Sequence, residues 1–518
     1  MGICLLIICL FESLFARIVH IPAEFDSIQE GLDSLSENDT LMVALGTYEE
    51  ALIAPAISFT MLGEVDSMLG ERVQPVIDIA NLELPDSTPL LVLQRSSSAI
   101  IRDFYFRNGG RDCIRSWADG TVISNCIIDS AYYGFNQKQD SIGAIVRLEA
   151  CDFRSVLFTG VIVRYGNTLL ARLCKFSSFE SGMRSLVNVS SSILDSCEFS
   201  CDGGMRLLSA SRGPHTVKNC TFGPAIMSPF ESAVSIGDTM PIFINNTILD
   251  CVYGNHAVRI GAVLPDSARI AGNTFIRCTG LNVGQMAAGA LGILYTTTPT
   301  GRGALIFGNS FVECAGYVTA DDIWPYVGYP ALIENNRFVH DSLNGLPSIG
   351  GSGGPWQGMP HTMRNNVFVD CGYALDGSAQ TDARFNYWGD ASGPYHETDN
   401  PLGLGDTITG PVQFIPWLTD TITSVDNEVE LPQSIELVVF PNPFNASTTL
   451  SFELKHGAHS VITIFDVLGR EVWRSAEEFR TIGAHSVQFD ASGFASGIYF
   501  AKLVTQFESV AAKIVLLK

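Results

Sequence analysis

The stretch "NNVFVDCG", residues 365–372, has three near-copies: "GNTFIRCTG" at 272–280, "GNSFVECAG" at 308–316 and "NNRFVHDS" at 335–342. Each places Phe two residues after an Asn. Taking that Asn as position zero, the series runs Asn246, Asn273, Asn309, Asn336, Asn366 and Asn386, with Ile248, Phe275, Phe311, Phe338, Phe368 and Trp388 at +2. Upstream the same frame carries Cys at zero: Cys126, Cys151, Cys174, Cys197 and Cys220, followed at +2 by Ile128, Phe153, Phe176, Phe199 and Phe222. Successive zero positions are 25, 23, 23, 23, 26, 27, 36, 27, 30 and 20 residues apart.

A period in the twenties is the mark of a solenoid. The residues between the marks show no 3.6 periodicity and no leucine frame. Short alternating strands separated by Gly and Asn turns fit them better. Each unit is then one coil of a parallel β-solenoid, with equivalent residues stacked about 4.8 Å apart. Positions zero and +2 point inward and their neighbours outward. The +2 aromatics stack in the core. A buried Asn at a bend can satisfy turn backbone groups and bond to the Asn above and below. Cys, small and readily buried, takes that place in the earlier coils. A second column at +5 holds Cys251, Cys278, Cys314 and Cys371, and +4 holds Asp250, Arg277, Glu313, His340, Asp370 and Asp390 as an outward column.

The chain is 46% hydrophobic and 16% charged with 48 Gly, which supports a large, turn-rich core and excludes disorder. A net charge of −23 excludes nucleic acid as a partner. The opening "MGICLLIICLFESLFA", residues 1–16, is expected to be a secretory signal, too short to span a bilayer. No later run is long and apolar enough for a transmembrane span. Of the 13 Cys, two fall in that signal and nine in the two columns, which predicts buried thiols; a Cys197–Cys201 bridge is the alternative. No zinc-type spacing occurs, so no metal or cofactor is expected. Residues 419–434 form an acidic linker, and 435–518 alternate like a small β-sandwich of about seven strands, with His456 and His459 in a turn.

The coils resemble the right-handed parallel β-helix of the pectin-lyase-like superfamily over residues 21–418. "IPAEFDSIQEGLDSLSENDTLMVALGTYEE" is similar to the first segment of such proteins, where "SIQE" at 27–30 is a capping box and Ile28, Leu32 and Leu35 share the helix face that covers the core. "NYWGDASGPYH" at 386–396 resembles their closing coil. The C-terminal module resembles the type A sorting domain of the type IX secretion system through Pro441, Asn442, Pro443, Phe444, Asp466, Gly469, Arg470, Gly483, His485, Asp490, Ser496, Gly497, Tyr499 and Lys518. That resemblance implies the type IX machinery and a sorting protease as partners. It also implies export across both membranes, removal of the module, and surface attachment or release from a Gram-negative bacterium.

The β-helix resemblance spans lyases, hydrolases, epimerases, adhesins and carbohydrate-binding proteins. A hydrolase needs Asp groups placed as acid and base, and a lyase needs acidic calcium ligands with a basic residue. Asp321–Asp322 in "VTADDIWPY" is the only adjacent Asp pair of the coil region, and no Gly-His-Gly or Arg-Ile-Lys follows it. No catalytic residue is therefore assigned. The expectation is a non-catalytic solenoid that binds a glycan or another surface component, with a diverged polysaccharide lyase or glycoside hydrolase as the alternative. Three consecutive intervals extend loops that carry Tyr295, Asp321, Asp322, Trp324, Tyr326 and Trp356, the candidate sugar-binding residues.

Overall fold

Successive coils feed three parallel sheets in the computed structural model, which describes residues 16–421 and 437–518 apart from interior stretches, the longest being 281–288, 296–303, 320–331, 340–347 and 350–361. Sheet A has 14 strands, from Ile18–Ile21 to Thr362–Arg364. Sheet B has 15, from Thr47–Tyr48 to Val367–Val369 on its main path, and sheet C has 11, from Leu52–Ala54 to Val318–Thr319. Two compact units divide at Ile422 and Thr423. The first is a parallel β-helix.

Zero is the corner between sheets A and B. There the Asn side chains form a ladder in which every amide is satisfied on both sides. Asn273 Oδ1 accepts from Asn246 N at 2.9 Å and from Asn246 Nδ2 at 3.0 Å. Asn273 Nδ2 donates to Phe243 O at 2.9 Å and to Asn309 Oδ1 at 2.9 Å. The same bonds repeat through Asn309, Asn336 and Asn366 to Asn386. Cys220 joins the ladder's lower end by donating its backbone N–H to Asn246 Oδ1 at 2.9 Å.

The residue before zero makes the corner in left-handed backbone. Asn245, Asn335 and Asn365 do so with φ of 54°, 56° and 56°, and Gly272 and Gly308 with 65° and 62°. Ala150 and Leu173 take the same conformation at 51° and 54° without the tolerance of Gly or Asn. The column expected at +4 faces outward in the described coils and forms a second left-handed corner. Asp250, Arg277, Glu313 and Asp370 have φ of 50°, 48°, 53° and 53°, so they turn the chain out of sheet B instead of lining a strand face. Arg277 Nε donates to Asp250 Oδ1 at 2.6 Å across that corner. His340 lies outside the described residues.

The +2 residues form the buried column that the spacing predicts. Phe153, Phe176, Phe199 and Phe222 stack with centroids 5.0, 5.0 and 4.7 Å apart. Phe275, Phe311, Phe338, Phe368 and Trp388 continue at 4.7, 5.0, 4.8 and 4.8 Å. Ile248 separates the two runs, and Phe243 of sheet A approaches Phe222 at 6.1 Å.

The thiols are free and buried at all eleven positions from Cys113 to Cys371. Cys201 is not a bridge partner of Cys197. A register shift after Phe199 pairs Cys201 with Ala225, and Ala225 pairs with Cys251, so Cys201 begins the second thiol column. Corner thiols bond to carbonyls two residues back, as Cys126 does to Ser124 O at 3.3 Å and Cys220 to Lys218 O at 3.2 Å. Burial pushes the Cys251 thiol up to about 12 and raises Cys126, Cys220, Cys278 and Cys314 as well.

The solenoid begins earlier than residue 21. Ile18–Ile21 is its first strand and pairs with Thr40–Val43. The capping helix, α1, is Ile28–Asp33, and the Ser27 hydroxyl accepts from Glu30 N. Its first two N–H groups, of Ile28 and Gln29, donate to the Glu50 carboxylate at 2.9 and 3.0 Å, a distant cap that the local motif did not reveal. Ile28 and Leu32 are buried, and Leu35 packs beside them. At the other end Tyr373–Asp376, Pro394–Tyr395 and Gly405–Thr409 form a small parallel sheet.

The second unit packs a three-stranded antiparallel sheet and a five-stranded one around Leu450, Phe452, Ile462, Phe489 and Leu503. The additional strand is Glu478–Arg480. His459 lies in strand Ala458–Asp466, paired with Phe479, not in a turn.

Two expectations test these columns. Phe311→Ala should destabilise the protein by about 3–5 kcal/mol, and Asn309→Ala should lower hydrogen-exchange protection of the stranded Asn273 amide by about 1–3 kcal/mol. Unchanged melting of the first, or unchanged protection in the second, would contradict the packing. A thiol-alkylating reagent should label none of the eleven cysteines in the native protein and all of them after denaturation, read by intact mass.

Candidate functional site

The loop residues Asp321, Asp322, Trp324, Tyr326 and Trp356 lie outside the described residues. Tyr295 ends strand Gly289–Tyr295 of sheet C, where its backbone pairs with Ala262. The described chemistry gathers elsewhere, on the early coils of sheet C.

Gly110 opens the site. Its φ of 56° makes the turn that delivers Arg111 and Asp112, and a Cβ there would meet Thr88 O at 2.9 Å. Asp112 starts strand Asp112–Ser116 and is completely buried. Its carboxylate takes Arg115 Nε at 2.5 Å and Asn136 Nδ2 at 2.7 Å, with Lys138 Nζ at 3.8 Å. Arg115 and Asn136 are register partners on neighbouring strands, followed by Ile162 on the third. Arg115 and Lys138 remain 22% and 24% exposed, so both cover Asp112 while keeping a face toward solvent.

More positive than negative charge collects here. Burial, and then the guanidinium groups of Arg115, Arg164 and Arg111, hold the Lys138 ammonium below the usual lysine range, against the pull of Asp112. Arg115 and Lys138 thus flank one buried carboxylate, and Arg111 and Arg164 act on the Lys138 charge, in a chain whose net charge is −23. Asn136 Oδ1 is buried and has no partner among the described residues.

An aromatic group adjoins the cations. Tyr132 and Phe158 stack at 4.6 Å, and Tyr133 meets Phe158 edge-on at 5.3 Å. Tyr133 is the register partner of Asp112, and its N–H donates to Arg111 O at 2.8 Å. Tyr132 and Leu157 are more than a third exposed. Aromatic faces beside forked cations suit a flat ligand that carries both C–H surface and negative charge. The sequence reading missed this group. Arg115, Lys138 and Arg164 recur about one coil apart, and only that spacing could have signalled it. Among the described residues, no three His, Cys, Asp or Glu side chains stand together as a metal site.

The C-terminal motif residues mostly lock turns and the final strand. Asn442 donates to Lys513 O at 2.8 Å and accepts from Val515 N at 2.9 Å. Pro441 O accepts from Thr448, Arg470 Nε donates to Asp466 at 2.7 Å, and Tyr499 OH donates to Ala495 O at 2.8 Å. Lys518 Nζ donates to Ser492 O and Phe494 O, both at 2.6 Å. The Ser492 backbone N–H holds the Asp490 carboxyl below its usual value. Pro443 follows a cis peptide bond, Gly497 begins strand Gly497–Thr505, and Gly469 lies outside the described residues.

Residues 438–517 match the secretion system C-terminal sorting domain, and residues 90–226 match the right-handed β-helix region. The fold is similar to the pectin methylesterase from Aspergillus niger in deglycosylated form, with 14% identity, a TM-score of 0.25, and coverage of 56% of this chain and 86% of that one. The enzymatically active domain of bacteriophage CBA120 tailspike protein 4 aligns at 12% identity and a TM-score of 0.17, over 88% of this chain and 60% of that one. Neither alignment bears on chemistry. No curated protein matches the chain. The chain is thus a right-handed parallel β-helix followed by a type IX sorting domain, which addresses it to the outside of the cell.

Proposed function

We propose that the solenoid is a non-catalytic binder of an acidic polysaccharide, held at or released from the cell surface. Arg115 and Lys138 over the buried Asp112, with Arg111 and Arg164 acting on Lys138, carry the reading, because a surplus of cations in so acidic a chain is a localised feature. Tyr132 and Tyr133 supply faces for sugar C–H groups. The loop residues Tyr295, Asp321, Asp322, Trp324, Tyr326 and Trp356 pointed to a neutral or basic glycan; the cation cluster favours an acidic one. One observation supports the enzymatic alternative. Lys138, held below the ordinary lysine range, is the type of residue that could take a proton beside a uronate carboxylate.

The test is a panel of acidic and neutral polysaccharides, read by calorimetry and by the appearance of new chain ends. Binding of acidic members should weaken with added salt, and Lys138→Met should weaken it roughly tenfold while leaving the melting temperature nearly unchanged. Affinity should also fall as pH rises through the depressed Lys138 value, earlier than the ~10.4 of an ordinary lysine. Equal binding by variant and parent would overturn this location. New chain ends abolished by Lys138→Met would establish the enzymatic alternative.

A further inference from the structure

The first strand of the solenoid begins beside a buried carboxylate that lacks a close cation. Asp39 is 4% exposed. Its Oδ1 takes the backbone N–H of Arg17 at 2.7 Å, and its Oδ2 takes that of Ser36 at 2.9 Å. The Arg17 guanidinium stays 3.8 Å away through Nε and is half exposed. Its Nη2 is bonded to Ser34 O and Ser34 Oγ at 2.8 and 3.2 Å. A buried carboxylate held mainly by two neutral amides is costly unless a full positive charge approaches it.

The position of Arg17 supplies the missing charge. Thr40 N donates to Arg17 O at 2.8 Å, and the parallel ladder starts at the next residue, Ile18 opposite Thr40. Ala16 is exposed and ends the apolar leader-like run. Ala is a small residue of the kind that signal peptidases accept before the scissile bond.

We propose that a signal peptidase hydrolyses the Ala16–Arg17 bond and that the new α-ammonium of Arg17 becomes the ion-pair partner of Asp39. Water supplies the atoms. Its hydroxyl adds to the Ala16 carbonyl carbon as the C–N bond breaks, and its hydrogen goes to the Arg17 nitrogen. The new carboxyl then yields its proton to the amine, leaving –NH3+ where the Arg17 amide now stands 2.7 Å from Asp39. Removal of the leader therefore installs a charge-assisted bond at the first rung. The uncleaved chain lacks that bond. This inference concerns maturation and is independent of any ligand.

The sign of the pH dependence follows from linkage. The α-amine gains a partner on folding, so its folded pKa rises above the ~7.7–8.0 of a free terminus. The added stability is complete below that range and is lost as pH rises through the folded value. The charged groups about the new amine are Asp39 and the Arg17 guanidinium; Glu37, on the same turn, is directed to Ser58 N.

Peptide mass spectrometry of the exported protein should find Arg17 as its first residue; a different mature start would overturn the cleavage. For the ion pair, the chain from Arg17 to its C-terminus is prepared with a free and with an acetylated α-amine. At pH 6.5 the free form should melt higher by on the order of 1–3 °C. The difference should vanish as pH rises past the amine's folded pKa, and in Asp39→Asn at every pH. Identical melting of the free and acetylated forms at pH 6.5 would overturn the ion pair without recourse to any substitution.

Discussion

Everything in the solenoid depends on keeping the buried corner between sheets A and B free of unpaired polar groups. A corner must leave strand geometry, and its backbone N–H groups then lose their ladder partners. The Asn column solves this from within. Each Oδ1 receives the backbone N–H of the coil before it, as Asn309 Oδ1 receives Asn273 N at 2.9 Å. From Asn246 to Asn366 each Nδ2 donates both to the next amide and to a sheet A carbonyl, as Asn309 does to Asn336 and Ile270. Within the Asn run the amide must recur in each successive coil, because one omission strands donors on its neighbour. The aromatic column two residues on is a consequence. A fixed corner fixes the register, and a fixed register lets Phe311 and Phe338 meet with rings 3° from parallel.

That linkage explains what the sequence made legible. Zero and +2 repeat because a polar ladder and a ring stack each tolerate few residue types. The corner residue at −1 was hidden wherever it is Ala150, Leu173 or Phe385, since these left-handed residues carry no Gly or Asn signal. The start of the solenoid was hidden because Ile18–Ile21 is a short strand abutting an apolar leader, and Cys201 because a register shift displaces it from the +5 count. The cation group of sheet C was hidden for another reason. Lys138 and Arg164 join Arg111, Asp112 and Arg115 only through coil stacking, and none falls on the zero or +2 positions that mark the repeat. The loop candidates were visible by their length and aromatic content, which says nothing of where their side chains lie.

The scaffold and the candidate site follow different constraints. Core columns permit almost no chemistry, since each buried group must match the coils on both sides. The outer face of sheet C is released from that demand, and its early rungs can hold a fully buried Asp112 because Arg115 and Asn136 come from the same rungs. Asp112 thereby restrains Arg115 beside Lys138 and lessens the repulsion between them. A carboxylate placed under cations is a structural counter-ion that offsets one of their charges, and the remaining cations keep the group positive.

The two halves of the corner column also differ in how firmly they hold register, and coil length follows that difference. The Cys units from Cys126 to Cys220 are 25 and then 23 residues apart, with little chain beyond strands and turns. Their thiols are weak donors and link neighbouring coils by single contacts, such as Cys197 N to Cys220 Sγ at 3.5 Å. Asn273 and Asn309 are 36 residues apart, and Asn336 and Asn366 are 30 apart. Two amide bonds run between each pair of these rungs, from the backbone N–H and from Nδ2. Lengthening a loop costs only about 0.6 kcal/mol per doubling, so entropy alone does not forbid long insertions. What they endanger is the register of the coils they interrupt. The stronger ladder is therefore placed where the most residues separate successive rungs, and the weaker one serves coils short enough to hold their register by strand pairing and stacked Phe rings.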